Sequence, residues 1–342
     1  MAASPVTATT AELHRTTLVF DGLALSYILD ESYTERVLEG GVNACIVTFA
    51  AEEDWGTRLL WDATLRLVEA GLKKVASHPL LALATRVEDI IGAHAAGKLA
   101  VVMGFQSAAM IGKDFWRLSL LYRLGLRCLQ LTYSGADLYG DGSGERRDGG
   151  LTTLGAELIQ AVNELGMLLD LSHCGERTTR EAIELARMPV CTHANAYSLN
   201  PNPRCKTDDI VKALATKGGM IGVQCAPRLV KPNDPSVEDV VDHIDHFVSL
   251  VGAKHVGLGL GFTEGFQERG EILPQSVRWR TLRPDVFGPV DDFVHRKYPR
   301  GIESIQSLPN LTQVLVDRGY GKEQITEILG GNWLRTIRDA FG

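Results

Sequence analysis

Alternation is the dominant signal in this chain. Eight short β-rich runs, most of them followed by a longer amphipathic run, predict an α/β fold of the (β/α)8 TIM-barrel class. Two further observations favour it. The 342 residues suit one such barrel with insertions. The first strand leads into FDGLALSY, which lacks the glycine-rich phosphate loop that an open doubly wound sheet needs at that point.

The predicted strands are 17–20 (TLVF), 44–49 (ACIVTF), 99–105 (LAVVMGF), 128–133 (CLQLTY), 167–173 (MLLDLSH), 189–193 (PVCTH), 220–225 (MIGVQC) and 255–260 (HVGLGL). Between them, helical periodicity covers 55–77, 87–97, 113–124, 153–165, 176–187, 207–217 and 236–251. Ser236 with Asp239, and Thr207 with Asp208 and Asp209, supply N-cap and first-turn acids. Gly125, Gly166 and Gly218 fall where helices end, as a left-handed C-cap requires.

Two stretches depart from the pattern. Residues 134–152 form a Gly- and Asp-rich loop on the face where barrels carry their sites. Residues 262–300 read as a long irregular insertion, with Trp279, Phe287 and four prolines. The tail, 309–341, reads as two helices joined at Gly319-Tyr320-Gly321, so the whole of 1–342 is expected to be a single barrel domain with C-terminal helices.

Bulk properties narrow the function. An apolar content of 45% fits a globular protein able to bury a large core. The net charge of −7 comes without a basic stripe, which argues against nucleic acid as a partner. The N-terminal residues show no apolar segment behind a basic start, and no window is apolar enough to span a membrane, so a cytoplasmic location is expected. Cys45, Cys128, Cys174, Cys191, Cys205 and Cys225 include no CxxC pair and read as reduced thiols, mostly small core residues.

Barrels keep their chemistry at the C-terminal strand ends, which here offer Asp21, Thr48, Gln106, Tyr133, His173, His193, Gln224 with Cys225, and Gly261. His173 and His193 end consecutive strands, so their imidazoles can share one metal ion, although a third ligand is not evident. Asp170 lies three residues before His173, and alternation sends the two to opposite faces unless the strand breaks. Gln106 offers an uncharged amide, and Tyr133 a phenol suited to proton donation. Arg204, on a Pro-flanked loop, suits a substrate carboxylate. His243 and His246 read as a surface pair. Asp137, Asp141, Glu145 and Asp148 read as a loop paired with its own Arg146 and Arg147, and Cys174 as a thiol facing away from the site.

The stretches LGLRCLQLTYSGADLYGDGSGERRDGGLTTLGAELIQAVNELGMLLDLSHCGERTT, PVCTHANAYS with the following PR, TDDIVKALATKGGMIGV, HVGLGL and LPNLTQVLVDRGYGKEQITEILGGNWLR occur in the order in which similar segments occur in the membrane (renal) dipeptidase family of zinc metallopeptidases. The chain resembles the soluble bacterial branch of that family nearly end to end. The resemblance implies a TIM barrel of the metal-dependent hydrolase type, a two-zinc peptidase centre and a homodimer. It places the family's His-x-Asp zinc ligands on Leu23 and Leu25, the bridging glutamate on Gln106 and the last-strand aspartate on Gly261. It keeps two zinc ligands at His173 and His193 and the carboxylate-binding arginine at Arg204, and it puts Tyr133 where a substrate-contacting histidine would stand.

The expectation is therefore a repurposed enzyme with a degraded binuclear site and little ordinary dipeptidase activity. It would act on a small amino-acid- or peptide-derived substrate bearing a carboxylate. The cofactor would be one Zn2+ or other divalent ion on His173 and His193, or none. A residual mononuclear zinc dipeptidase and a non-catalytic binding subunit stand as alternatives.

Overall fold

A computed structural model describes residues 5–51, 61–264, 274–294 and 296–341. Nine parallel strands run in chain order: β1 (Val19–Leu25), β2 (Val42–Ala51), β3 (Leu81–Leu83), β4 (Leu99–Gln106), β5 (Leu126–Gln130), β6 (Leu168–Asp170), β7 (Pro189–Cys191), β8 (Met220–Val223) and β9 (Val256–Leu258). Eight of them close on themselves. β2 pairs with β1 and β4, β1 pairs with β9, and the remaining strands follow in order from β4 to β9. This is the predicted barrel.

β3 is the strand that periodicity did not reveal. It pairs with the first half of β4, Leu81 with Leu99 through Leu83 with Val101, while β5 takes the second half of the same edge from Met103 onward.

Two apolar layers hold the barrel. Phe20, Ile46, Val102, Leu168, Val190 and Met220 are buried in its interior cluster. The alternate positions, such as Val19, Val47, Val101 and Leu169, belong to the larger cluster shared with the surrounding helices. Burial on both faces explains why the strands read as apolar runs rather than as alternating ones. Near the strand starts, Trp333 stacks on Phe20 with ring centroids 5.5 Å apart, and its indole N–H donates to the Leu258 carbonyl at 2.8 Å.

The helices follow their sequence signals. Val237–Val251 opens on a capping box, with Ser236 accepting from the Asp239 amide and Asp239 accepting from the Ser236 amide. Gly166 and Gly218 take left-handed conformations, φ +68° and +77°, where those helices stop. The helix expected over 55–77 is described from Trp61 to Ser77, and its first residues lie outside the described ones. The described residues of the 262–300 stretch, expected to be irregular, include three short helices, Pro274–Leu282, Pro284–Phe287 and Val290–Val294, and the expectation for 265–273 and 295 lies outside the described residues. Proline at N1 starts the second, which is why a proline-rich reading took it for loop.

The tail folds as Pro309–Asp317, then Lys322–Thr326, a π turn at Glu327–Gly331, and Asn332–Phe341. A Cβ on Gly330 would lie 2.2 Å from the Leu18 carbonyl oxygen, so the glycine lets this turn press against the start of β1. Among the described residues, no helix is long and apolar enough to cross a membrane.

Candidate functional site

The C-terminal ends of the strands open into a cavity of about 1560 Å3. Leu23, Leu25, Thr48, Gln106, Tyr133, His173, His193, Arg204, Gln224 and Gly261 all line it, whereas the strand-end candidates Asp21 and Cys225 do not.

His173 reaches the pocket because β6 ends at Asp170 and the chain turns through Ser172 and His173. The break overcomes strand alternation and leaves Asp170 beneath the imidazoles. Asp170 Oδ1 accepts from the Ser172 amide at 3.0 Å, the Ser172 hydroxyl at 2.5 Å and the Thr192 amide at 3.0 Å. Its Oδ2 accepts from the Thr192 hydroxyl at 2.7 Å.

Thr192 Oγ1 also lies 2.7 Å from His193 Nδ1. The threonine's one proton is committed to Asp170, so His193 Nδ1 is the donor to Thr192, and the Nε2 lone pair of His193 faces inward. His173 Nε2 meets it at 3.0 Å, and His173 Nδ1 lies 3.2 Å from Ser134 Oγ. Two bare lone pairs would repel at that distance. The neutral arrangement has His173 donating from Nε2, with the Ser134 hydroxyl donating to His173 Nδ1.

Tyr133 stacks over His173, ring centroids 4.3 Å apart and planes 18° from parallel. Gln224 steadies the His193 backbone by donating to its carbonyl at 3.2 Å. Gln106 ends β4 as a buried residue, and its own carbonyl accepts from Gln130 Nε2 at 3.0 Å.

Burial, with the Arg204 guanidinium next in importance, pushes both imidazoles well below the usual histidine range. Neutral imidazole is the form that binds a metal or accepts a proton. Arg204 is 3% exposed and donates Nη1 to the Ser172 carbonyl. Lys206 is also buried, its ammonium donating to the Cys174 carbonyl at 2.9 Å and to Thr179 Oγ1 at 3.1 Å. The pocket thus sets the Arg204 cation beside two neutral rings, with Lys206 behind them further disfavouring their protonation, a setting that favours an anionic ligand.

The donor set also tests for a metal. Moving the His173 proton to Nδ1, where Ser134 Oγ accepts it, frees both Nε2 lone pairs. Their 3.0 Å separation is close to the ~3.3 Å between two tetrahedral ligands at zinc–nitrogen distance. The pair therefore fits one divalent ion. Among the described residues, no group of three or more His, Cys, Asp or Glu side chains converges to hold a metal.

Other expectations need correction. His243 is a buried fastener rather than a surface residue. Its Nδ1 accepts from the Ala196 amide at 3.1 Å and its Nε2 donates to the Val230 carbonyl at 2.9 Å. The acids of the 134–152 loop are satisfied by backbone amides, not by Arg146 and Arg147. Asp137 accepts from the Tyr139 amide, Asp141 from Gly149, Glu145 from Ala136 and Asp148 from Arg177. Cys174 is buried with its thiol pushed up to about 11, which fits its reading as a residue turned away from the chemistry.

Sequence reasoning missed Ser134, Thr192, Lys206 and the role of Asp170. A signal for part of this was present: each site histidine directly follows a hydroxyl residue, in Ser172-His173 and Thr192-His193.

A parallel β/α barrel with imidazoles at adjacent strand ends defines the class of metal-dependent hydrolase barrels. The chain matches the membrane dipeptidase family (peptidase family M19) over residues 27–280 and belongs to it. It is 30% identical over 252 residues to dipeptidase aclJ of Aspergillus oryzae, covering 72% of this chain and 53% of that protein. It is 27% identical over 262 residues to dipeptidase tcpJ of Claviceps purpurea, covering 75% and 55% respectively. The chain thus spans about half the length of these curated relatives.

Among solved structures it is similar to an amidohydrolase from Pseudomonas aeruginosa, with a TM-score of 0.83, 28% identity, and coverage of 97% and 99% of the two chains. A metallopeptidase from Rhodobacter sphaeroides, liganded with a phosphinate mimic of L-Ala-D-Ala, shares the fold. Its TM-score is 0.77 at 22% identity, with 95% and 99% of the chains covered.

Proposed function

We propose that this chain is a repurposed member of the family, a pocket enzyme for a small amino-acid- or peptide-derived carboxylate with little ordinary dipeptidase activity. One observation carries the reading. The positions to which the resemblance assigns zinc ligands line the pocket together, but they hold Leu23, Leu25, Gln106 and Gly261 around the surviving His173 and His193. Two-metal hydrolysis needs anionic bridging and a group that takes the proton of the metal-bound water, and these four side chains supply neither.

His173 and His193 would hold a single divalent ion, whose chemistry would be Lewis-acid polarisation of a substrate carbonyl. The remaining roles belong to the chain itself. Arg204 presents a buried guanidinium to the substrate carboxylate, and burial strengthens that charge-assisted bond. Leu23 and Leu25 exclude water from the side of the pocket they occupy. Tyr133, stacked on His173, gives or takes a proton at the bound substrate through its hydroxyl. Asp170 and Thr192 keep the His193 lone pair turned inward. Isomerisation, elimination or condensation fits these parts, because none of them needs a second metal.

Elemental analysis after zinc loading tests the ion assignment, with Arg204→Gln assayed for binding of a dipeptide. The expected result is about one zinc per chain, lost in His173→Ala and in His193→Ala, and loss of dipeptide binding in Arg204→Gln. Two zincs per chain, or dipeptide binding indifferent to Arg204, would overturn the reading.

A further inference from the structure

Arg228 lines the same pocket yet has no part in the chemistry above. It lies in the short helix Pro227–Val230 that follows β8. Its carbonyl accepts from Asn200 Nδ2 at 2.8 Å, and the adjacent Leu229 carbonyl accepts from Asn195 Nδ2 at 3.0 Å. The loop that carries Arg204 therefore also fixes the backbone of Arg228.

The Arg228 side chain runs along Gly288, which is left-handed at φ +72°. A Cβ at that glycine would lie 2.9 Å from Arg228 Cδ, so the residue without a side chain makes room for the guanidinium stem. Arg280 reaches the same corner and donates to the Phe287 carbonyl. Arg228 Nε is buried and has no hydrogen-bond partner among the described residues, although the side chain as a whole is 40% exposed. The carboxylate of Asp292 stands 4.0 Å from Nη1, with its side chain 56% exposed, which is a loose surface pairing rather than a bidentate one.

Charge balance points the same way. Among the described residues, eight lysines and arginines and five carboxylates line the cavity, although the chain as a whole carries −7. Burial, with repulsion from Arg296, lowers Arg280 to about 10. Gathering like charges in a pocket wall costs stability unless an anion joins them, and guanidinium is the group best shaped to hold a carboxylate or phosphate.

We propose that Arg228, with Arg280 beside it, is a second anion-binding point in this pocket. The substrate class is then a small molecule with two anionic groups, one on Arg204 and one on Arg228. This rests on the reading of Arg204 as the carboxylate anchor. A carboxylate and a phosphate share the required chemistry at the second point, and the probes separate them.

The test is calorimetric binding of matched dipeptides to the zinc-loaded full chain: Ala-Glu against Ala-Gln, and Ala-phosphoserine against Ala-Ser. Wild type is expected to prefer the charged member of at least one pair by about 10-fold or more, as a charge-assisted hydrogen bond would give. The pair with the larger ratio identifies the group. In Arg228→Gln, the same ratio is expected to fall to about threefold or less, the remainder being long-range attraction to the other pocket cations. Arg228→Lys, which keeps the charge, retains part of the preference and controls for folding, alongside thermal melting.

Equal affinities within both pairs, a preference that persists in Arg228→Gln, or no binding of any probe would overturn the second anion point. Arg204→Gln is expected to lose all four ligands. If it keeps them while the Arg228-dependent ratio holds, the failure lies with the Arg204 reading and not with Arg228.

Discussion

Asp21 shows how a single buried group sets a condition for the whole fold. It sits 4% exposed in β1, and Oδ1 accepts the Leu23 amide at 3.0 Å and the Leu260 amide at 2.7 Å. Burial dominates these bonds and raises the carboxyl to about 7. A raised folded-state value means that the fold holds a proton the unfolded chain gives up. Stability from this group is full below about pH 4 and is lost progressively as pH rises to about 7.

Asn at position 21 keeps the acceptor oxygen without the charge. The melting temperature of Asp21→Asn relative to wild type is therefore expected to climb across that window and level off above it. The buried histidines cancel in the comparison. A difference independent of pH would sink the assignment.

Residue chemistry of this kind was only partly legible. His173, His193, Tyr133 and Arg204 stood out because they are polar groups at strand ends or on the following loop. Asp170 did not, because its contact with the site depends on where β6 stops, and the sequence periodicity of LLDLSH gives no sign of that stop. Thr192 and Ser134 act by satisfying ring nitrogens, a role fixed by hydrogen-bond geometry in three dimensions.

At the scale of elements, the barrel's narrowness near the site depends on glycine. Cβ atoms built on Gly222 and Gly259 would lie 2.2 Å and 1.8 Å from the carbonyl oxygen of Thr192. β8 and the end of β9 thus close onto the strand that presents His193, and no side chain can stand between. Gly259→Ala is expected to destabilise the fold by about 1–3 kcal/mol, the usual range for overpacking, and to weaken zinc binding by shifting His193. Chemical denaturation with a zinc titration reads both. A variant with wild-type stability and zinc affinity would show that the carbonyl moves at no cost.

Eight strands were legible as apolar runs because both their faces are buried. Their edges were less so. β1 extends to Leu25 rather than stopping at residue 20, with register shifts between Val19 and Phe20 and between Asp21 and Ala24. Those irregularities interrupt the period that a sequence reading follows. The same extension carries Leu23 and Leu25 up to the pocket. The short helix Pro284–Phe287 was hidden by its proline, which here begins a helix instead of breaking one.

At the scale of the molecule, the two ends of the barrel do different work. Near the strand starts, Trp333 packs on Phe20 within the interior apolar cluster. The other end opens into the large pocket, where leucine, glutamine and glycine line the wall together with the two imidazoles. A net-acidic chain also concentrates arginine and lysine around that opening. Family membership fixes the frame, and the departures that the resemblance implies motivate the proposal of a single-ion or proton-transfer pocket for an anionic small molecule.

The most direct test of that claim is steady-state hydrolysis of L-Ala-L-Ala and L-Ala-D-Ala by the zinc-loaded chain, with and without chelator. Little or no amino-acid release above the enzyme-free rate is expected in either condition. Multiple turnovers abolished by chelator would contradict it and show that the leucine-lined pocket still performs the family's metal-dependent hydrolysis.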